Sequence, residues 1–285
     1  MVKKASITLT IVDDTIKRLA ESGHRHHLGA SLIGHNCAAY LWYVFRWAKQ
    51  EKFPARILRL FDRGHREEER FEKWLKDAGI KVYAFDTGGK QFRISDHFGH
   101  FGGSLDGKAI NVPDIPKGEM CLLEYKTHGE KSFKLLEKKG MRSSKYQHFT
   151  QMQTYMQKEG LKYGLYLAIN KNTDAIYGEI IELDEQVAAM SSQRAKRIIF
   201  SQERPARISQ LPTWFECGYC SFKDICHYGD TPEVNCRTCN YATPVDNARW
   251  SCSLYGKYIP KKALRTGCAN HVFLPDMTKK PKKDV

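Results

Sequence analysis

The run Leu122-Leu123-Glu124-Tyr125-Lys126-Thr127 sets an acid and an amine two positions apart inside an apolar segment. Strand side chains alternate faces, so Glu124 and Lys126 point one way while Leu123 and Tyr125 point the other. Charges on an otherwise buried strand are costly unless the site uses them. An isolated Glu-x-Lys is most often an ion pair at a sheet edge, so its companions decide the reading. Phosphodiester hydrolysis would suit these groups. It needs an in-line water, stabilisation of charge on the scissile phosphate and help for the leaving oxygen. The carboxylates of Asp106 and Glu124, with the backbone carbonyl of Tyr125, offer hard oxygen ligands to Mg²⁺ or Mn²⁺. Lys126 would orient or deprotonate water, or balance charge on the phosphate.

Three companions stand along the chain. Asp106 follows Gly102-Gly103-Ser104-Leu105 and precedes Gly107, and such glycines let a backbone crowd against a ligand. Alone it would be a plain Asp-Gly turn. Glu68 shares a helical face with Phe61, Gly64, Phe71, Leu75 and Ala78, whereas Glu67, Glu69, Arg70, Lys73 and Asp77 fall on the solvent side. A carboxylate on an apolar stripe wants a cation or a donor, and a metal would serve. His65, one turn back, is an alternative or an assistant. Gln151 and Tyr155 form an i, i+4 pair on the next helix, with Gln147 in the same row. Phe149, Met152 and Met156 take that helix's packing side and leave the polar pair near its edge.

Taken together, these residues resemble the PD-(D/E)XK nuclease superfamily, in particular its RecB-like branch. Its pattern is Gly-x-x-x-His/Glu on a helix, then Asp, then Glu-x-Lys, then Gln-x-x-x-Tyr. Gly64 with Glu68, Asp106, Glu124 with Lys126, and Gln151 with Tyr155 match it in order, across about residues 60 to 160. This branch more often carries His where the chain has Glu68. Either residue can hold a divalent ion, so Glu68 and His65 remain alternatives. The resemblance implies an α/β fold, a restriction-endonuclease-like core with a mixed central sheet flanked by helices. It also implies a Mg²⁺- or Mn²⁺-dependent deoxyribonuclease. Glu68, Asp106, Glu124 and Tyr125 would hold the metal, Lys126 would act beside it, and Gln151 and Tyr155 would position the strand. Degradation from DNA ends is favoured over sequence-specific cutting.

The cysteines carry a second chemistry. Nine cysteines cannot all pair within one chain, and a cytosolic protein keeps them reduced, so clustered thiols read first as metal ligands. Cys217-x2-Cys220-x5-Cys226 follows Trp214-Phe215 and lacks a fourth local ligand, while Cys37 stands alone near the other end. Iron–sulfur members of the RecB-like branch, the AddB-type and CRISPR-adaptation nucleases, use one N-terminal and three C-terminal cysteines. That resemblance implies a [4Fe–4S] cluster on Cys37, Cys217, Cys220 and Cys226, with zinc in the same thiols as its rival. Cys236-x2-Cys239 followed by Cys252 and Cys268 is a credible tetrahedral zinc site, with His271 an alternative fourth ligand. His227 reads as a bystander and Cys121 as plain core.

The supporting elements follow from periodicity and turn residues. Helices are expected over 13–22, 37–50, 61–78, 134–158 with a break at Gly140, and from Asp184 to Phe200. Strands are expected at KVYAF, QFRI and MCLLEYKT, and a hairpin around Lys171-Asn172-Thr173-Asp174. The expected organisation is a nuclease core over 1–210, a cysteine-rich region over 211–275 held by ligands rather than by a core, and a solvated basic tail over 276–285.

Composition bounds the partners. With 41% hydrophobic residues the chain can bury a core, which excludes wholesale disorder. A surplus of 46 − 32 = +14 points to a polyanion, hence DNA. No apolar run approaches the roughly 20 residues that span a bilayer, so no membrane partner is expected. The start, MVKKASITLTIVDD, lacks the apolar stretch of a secretory signal, and a cytoplasmic location in a bacterium or phage-infected cell follows. The resemblance suggests recombination, repair or phage DNA processing, with a single-strand annealing or recombination protein as a possible partner. A non-catalytic zinc-bearing nucleic-acid-binding protein would explain charge and cysteines, but would leave Glu68, Asp106, Glu124 and Lys126 without a purpose. An iron–sulfur oxidoreductase is disfavoured because no G-x-G-x-x-G opens a βαβ unit.

Overall fold

The apolar run around Glu124 becomes the central strand of a mixed sheet. The structure is a computed structural model and describes residues 4–20 and 23–278. In chain order the first half contains α1 (Ser6–Leu19), β1 (Leu28–Gly29), α2 (Ala38–Phe45), α3 (Ala55–Asp77), β2 (Lys81–Tyr83), β3 (Arg93–Asp96), β4 (Phe101–Ser104), β5 (Gly107–Ile110) and β6 (Met120–His128). Then follow α4 (Glu130–Ser144), α5 (Tyr146–Glu159), β7 (Tyr163–Asn170), β8 (Ile176–Glu182) and α6 (Glu185–Phe200). The cysteine-rich part adds α7 (Phe215–Gly218), β9 (Ala242–Pro244), β10 (Trp250–Cys252), β11 (Lys257–Tyr258), α8 (Lys261–Thr266) and α9 (Pro275–Thr278).

Five strands pair in the order β2-β5-β6-β7-β8, with β6 and β7 parallel and the other neighbours antiparallel. The α4–α5 pair supplies the long crossover that a parallel pair requires. Alternation along β6 splits the interior into two cores. Cys121, Leu123 and Tyr125 join Ala109, Leu165 and Phe71 on the α3 side, where Phe71 stacks on Tyr125 at 5.3 Å. Leu122 faces the larger core with Met152, Tyr166 and Ile198, so Glu124 and Lys126 enter from that face. Cys121 is plain core, as its strand position implies.

The helix expected at 13–22 instead runs Ser6–Leu19 and buries none of its side chains. Without a buried stripe, apolar periodicity cannot mark where such a helix begins; its anchor is an ion pair from Asp13 to Arg59 on α3. The aromatic helix expected to reach Gln50 stops at Phe45, because Trp47 takes a left-handed φ of 56°. Its ring is buried and its Nε1 donates to the Arg25 carbonyl at 2.8 Å. The long 134–158 helix is two helices, with Gly140 at φ 69° inside the first and a non-helical Lys145 between them. The hairpin and the Asp184 start fall where expected, and Asp184 caps α6 by accepting from the Val187 amide.

The cysteine-rich part is not held by ligands alone. Ala242, Trp250, Leu264, Leu274 and Met277 are buried in the same core as Leu28, Trp42, Phe45 and Trp47. Two fully buried arginines stitch the parts together. Arg237 lies 3.8 Å from the Trp47 ring centroid and donates to the carbonyls of His26 at 2.7 Å and Phe45 at 3.0 Å. Arg46 donates to the Ser201 carbonyl at 2.7 Å and lies 5.3 Å from the Trp250 ring centroid. Because Met277 is buried in α9, the tail expected to begin at 276 is packed at its start. Lys279 to Lys283 lie outside the described residues. Among the described residues no helix is long and apolar enough to cross a membrane.

Gly34 marks where the segment ahead of α2 docks on α5, since a Cβ there would sit 2.6 Å from the Gln147 Cα. Gly34→Ala is expected to destabilise the protein by about 1–3 kcal/mol through this overpacking. Denaturant unfolding measures it, and an unchanged midpoint would mean that the segment is not seated on α5.

Candidate active site

Glu124 is fully buried and in ion-pair contact with Lys126 Nζ. Lys126 also lies 3.7 Å from Asp106 Oδ2 and donates to the Tyr125 carbonyl at 2.9 Å. Asp106 Oδ2 in turn accepts from the Tyr125 amide at 2.8 Å, which fixes the β4–β5 turn against β6. One ammonium therefore bridges two carboxylates. Glu124 Oε1 faces this ammonium, and Oε2 has no hydrogen-bond partner among the described residues.

The electrostatics follow from this crowding. Burial pushes the Glu124 carboxyl up against the pull of the Lys126 ammonium, and Asp106 and Glu68 push it further. Burial alone would lower Lys126, but Glu124 and Asp106 outweigh it, so its pKa is raised and it stays protonated. Glu68 is raised by burial and then by Asp106, with Lys126 and His65 opposing. Asp106 destabilises the charge of both Glu68 and Glu124, which leaves the cluster short of positive charge. The unpartnered Oε2 of Glu124 fits a hard divalent cation with oxygen ligands. As it stands, no group of three or more His, Cys, Asp or Glu side chains among the described residues is arranged to hold a metal ion. Lys126 already spans Glu124 and Asp106.

Glu68, His65, Asp106, Gln151 and Tyr155 line one cleft of about 1020 Å³. His65 and Glu68 also line an adjoining cleft of about 900 Å³ with Tyr125 and Lys126. The two catalytic-type clusters expected from sequence, on α3 and on β6, thus meet at Glu68. The expectation that Glu67 faces solvent is wrong. Glu67 is the most buried of the three glutamates, because Arg70 Nη1 at 3.2 Å and Arg63 Nε at 3.9 Å cover it. Gln151 and Tyr155 are not at a helix edge either. Every residue from Phe149 to Met156 is buried, because α5 is covered by the sheet, α6 and the segment before α2. Tyr155 hydrogen-bonds Gln151, and burial, then Glu124, raises its hydroxyl pKa. Gly103 has a different use from the one its sequence suggests. A Cβ there would collide with the Tyr155 hydroxyl, so the glycine admits this ring beside Asp106.

Sequence reasoning missed His128, Tyr166 and His148. The Tyr166 hydroxyl lies 2.9 Å from His128 Nε2 and 3.1 Å from His148 Nδ1, and both imidazoles line the cleft beside Lys126. Burial, then the nearby lysines, lowers the pKa of His128 to about 4. Burial, then Lys126, lowers that of His148 to about 3. One more step of the β6 alternation, from Glu124 through Lys126 to His128, would have found the first.

All nine cysteines are free thiols. The fold gathers Cys37, Cys217, Cys220 and Cys226 around one internal pocket of about 20 Å³. His227, read as a bystander, also lines it. Cys236, Cys239, Cys252, Cys268 and His271 line another cavity of about 280 Å³. Burial pushes Cys220 and Cys236 up to about 11, and neighbouring thiols add to it. His271 is engaged elsewhere, with Nε2 3.1 Å from Thr238 Oγ1.

No protein-family model and no curated protein matches the chain. Among solved structures it is similar to the crystal structure of SSO0001, with 18% identity and a TM-score of 0.43 over 80% of this chain and 98% of that one. It is also similar to the crystal structure of an alkaline exonuclease (LHK-Exo) from Laribacter hongkongensis, with 18% identity and a TM-score of 0.45 over 61% of this chain and 86% of that one. The structure of LHK-Exo in complex with dAMP gives 18% identity and a TM-score of 0.42 over the same shares. The functional reading rests on the site's own side chains.

Removing one partner of a buried pair strands the other. Lys126→Met is expected to cost about 3–5 kcal/mol, and adding Glu124→Gln to it should restore most of that loss. A double-mutant cycle by denaturant unfolding measures the coupling, and additive effects would rule out the buried pair.

Proposed function

We propose that the chain is a metal-dependent DNA exonuclease that hydrolyses phosphodiester bonds from DNA ends. The observation that carries this reading is Glu124, buried on β6 with its Oε2 without a hydrogen-bond partner among the described residues and its charge opposed by Asp106 and Glu68, next to a cleft lined by Glu68 and Lys126. Glu68, Asp106, Glu124 and the Tyr125 carbonyl would hold Mg²⁺ or Mn²⁺. When bound, such an ion supplies Lewis-acid stabilisation of phosphate charge and acidifies water. Lys126, kept protonated by its two carboxylates, suits charge balance on the phosphate rather than proton abstraction. Gln151 and Tyr155 would position the strand, and the Gly103 backbone leaves room for the Tyr155 ring.

The thiol groups extend the proposal. Cys37, Cys217, Cys220 and Cys226 would carry a [4Fe–4S] cluster, and Cys236, Cys239, Cys252 and Cys268 a zinc ion. That each set lines a single cavity supports this, as does Arg204 Nη1 at 3.6 Å from Cys226 Sγ, where a thiolate would be stabilised. Recombination, repair or phage DNA processing in the cytoplasm, with a single-strand annealing or recombination protein as partner, would suit such an enzyme.

The decisive comparison uses linear and relaxed covalently closed DNA of identical sequence with Mg²⁺ or Mn²⁺, and EDTA as control. Linear DNA should be degraded and the closed circle should survive. Glu124→Gln should abolish degradation while binding in EDTA stays near wild type, because non-specific affinity comes from scattered cations. Discrete fragments from the circle would make the protein an endonuclease. For the thiols, metal analysis of anaerobically purified protein should find iron and about one zinc. Cys37→Ser should lose the iron and keep the zinc, and retained iron would break the proposed link between the ends of the core.

A further inference from the structure

Gly64 is a glycine that the fold does not explain. It lies in the interior of α3, where glycine costs about 0.5–1 kcal/mol relative to alanine. Its backbone is right-handed, and a Cβ added there would meet nothing within 4 Å. Neither turn geometry nor packing requires it, yet it lines the cleft that holds Lys126. A glycine there leaves the helix surface open to something that is not protein.

The neighbours of Gly64 say what would lie there. Phe61, one turn earlier, is 47% exposed, and Phe53 is 41% exposed. Their rings meet edge to face at 5.1 Å, and both line the same cleft. Leaving two phenylalanines open in a cleft costs apolar burial. The cleft lining also carries Arg25 and Arg265, with His24 and His26. Its non-catalytic acid, Glu67, is already paired with Arg63 and Arg70. Phe61 precedes Glu68 by seven positions, about 10 Å along the helix, or roughly three nucleotides of a stacked strand.

We infer that this arm of the cleft binds single-stranded DNA, with bases stacked on Phe53 and Phe61 and the backbone running past Gly64 toward Glu68. Aromatic faces stack on unpaired bases, whereas a duplex covers its base faces with neighbouring pairs. Arg25 and Arg265 of the same lining take the phosphates. The inference rests on the proposed nuclease reading for the class of polymer, and deepens it by naming the form of the substrate at the site.

The test reads binding in EDTA, so it does not depend on cleavage. Fluorescence anisotropy is measured with a labelled oligothymidylate and with a blunt duplex of the same length. Phe53→Ala/Phe61→Ala should weaken oligothymidylate binding by roughly five- to a hundredfold, with duplex affinity held within about twofold because its phosphate contacts remain. Gly64→Leu should keep or raise the thermal midpoint, since nothing stands where its side chain begins, yet weaken oligothymidylate binding by about tenfold through lost approach to the helix. Unchanged oligothymidylate affinity in the phenylalanine variant, or equal losses for strand and duplex, would overturn the inference. Phenylalanine-dependent strand binding in a protein that cleaves no DNA would uphold it and overturn the nuclease reading alone.

Discussion

The constraint on which the rest depends is one ammonium shared by two carboxylates on a buried strand. Desolvating Glu124 completely costs free energy that Lys126 offsets only while it stays charged and close. Lys126 can be held there because Asp106 faces it across the β4–β5 turn and the Tyr125 carbonyl accepts from it. Asp106 is in turn clamped by the Tyr125 amide. The pairing of β5 with β6 and the packing of Tyr155 on Gly103 therefore serve the same group of charges. Replacing these polar groups with apolar ones would ease the burial, so their presence points to use rather than stability.

Much of this was legible because it is local. Period-two alternation placed Glu124 and Lys126 together on β6, and the same rule placed Cys121, Leu123 and Tyr125 on the other side. The hairpin at 171–174 and the Asp184 cap are set by short-range turn and capping chemistry. What stayed hidden depends on what other elements cover. The apolar stripe on α3 marked Glu68, but not that Arg63 and Arg70 would screen Glu67 more completely. The exposed-looking Gln151 and Tyr155 are buried because α6 and the segment carrying Gly34 close over α5. His148 meets Tyr166 and His128 only through tertiary packing, so no spacing rule could have paired them.

The cysteine-rich part shows the same division between local pattern and global cover. Spacing sorted the thiols into two groups, and each group lines its own cavity. Spacing did not foresee that the region shares its core with α2 and Trp47 after it. That join depends on Trp47, Trp250 and the two buried arginines, which are far apart in sequence.

Those arginines also tie the cysteine-rich part to the cleft. Arg237, between Cys236 and Cys239 in sequence, has its pKa lowered by burial and then by Arg46. Two like charges at the centre of a fold are tolerable only where dipoles offset them, and the carbonyls of Phe45 and His26 accept from Arg237 while that of Ser201 accepts from Arg46. At the Cys217–Cys226 group, Arg207 and Arg204 oppose the burial that raises the Cys226 thiol. The cleft that carries Glu68 and Lys126 is walled by the 23–27 segment, whose His26 carbonyl Arg237 holds at 2.7 Å. A single buried side chain therefore joins the cysteine-rich part to the wall of the proposed catalytic cleft.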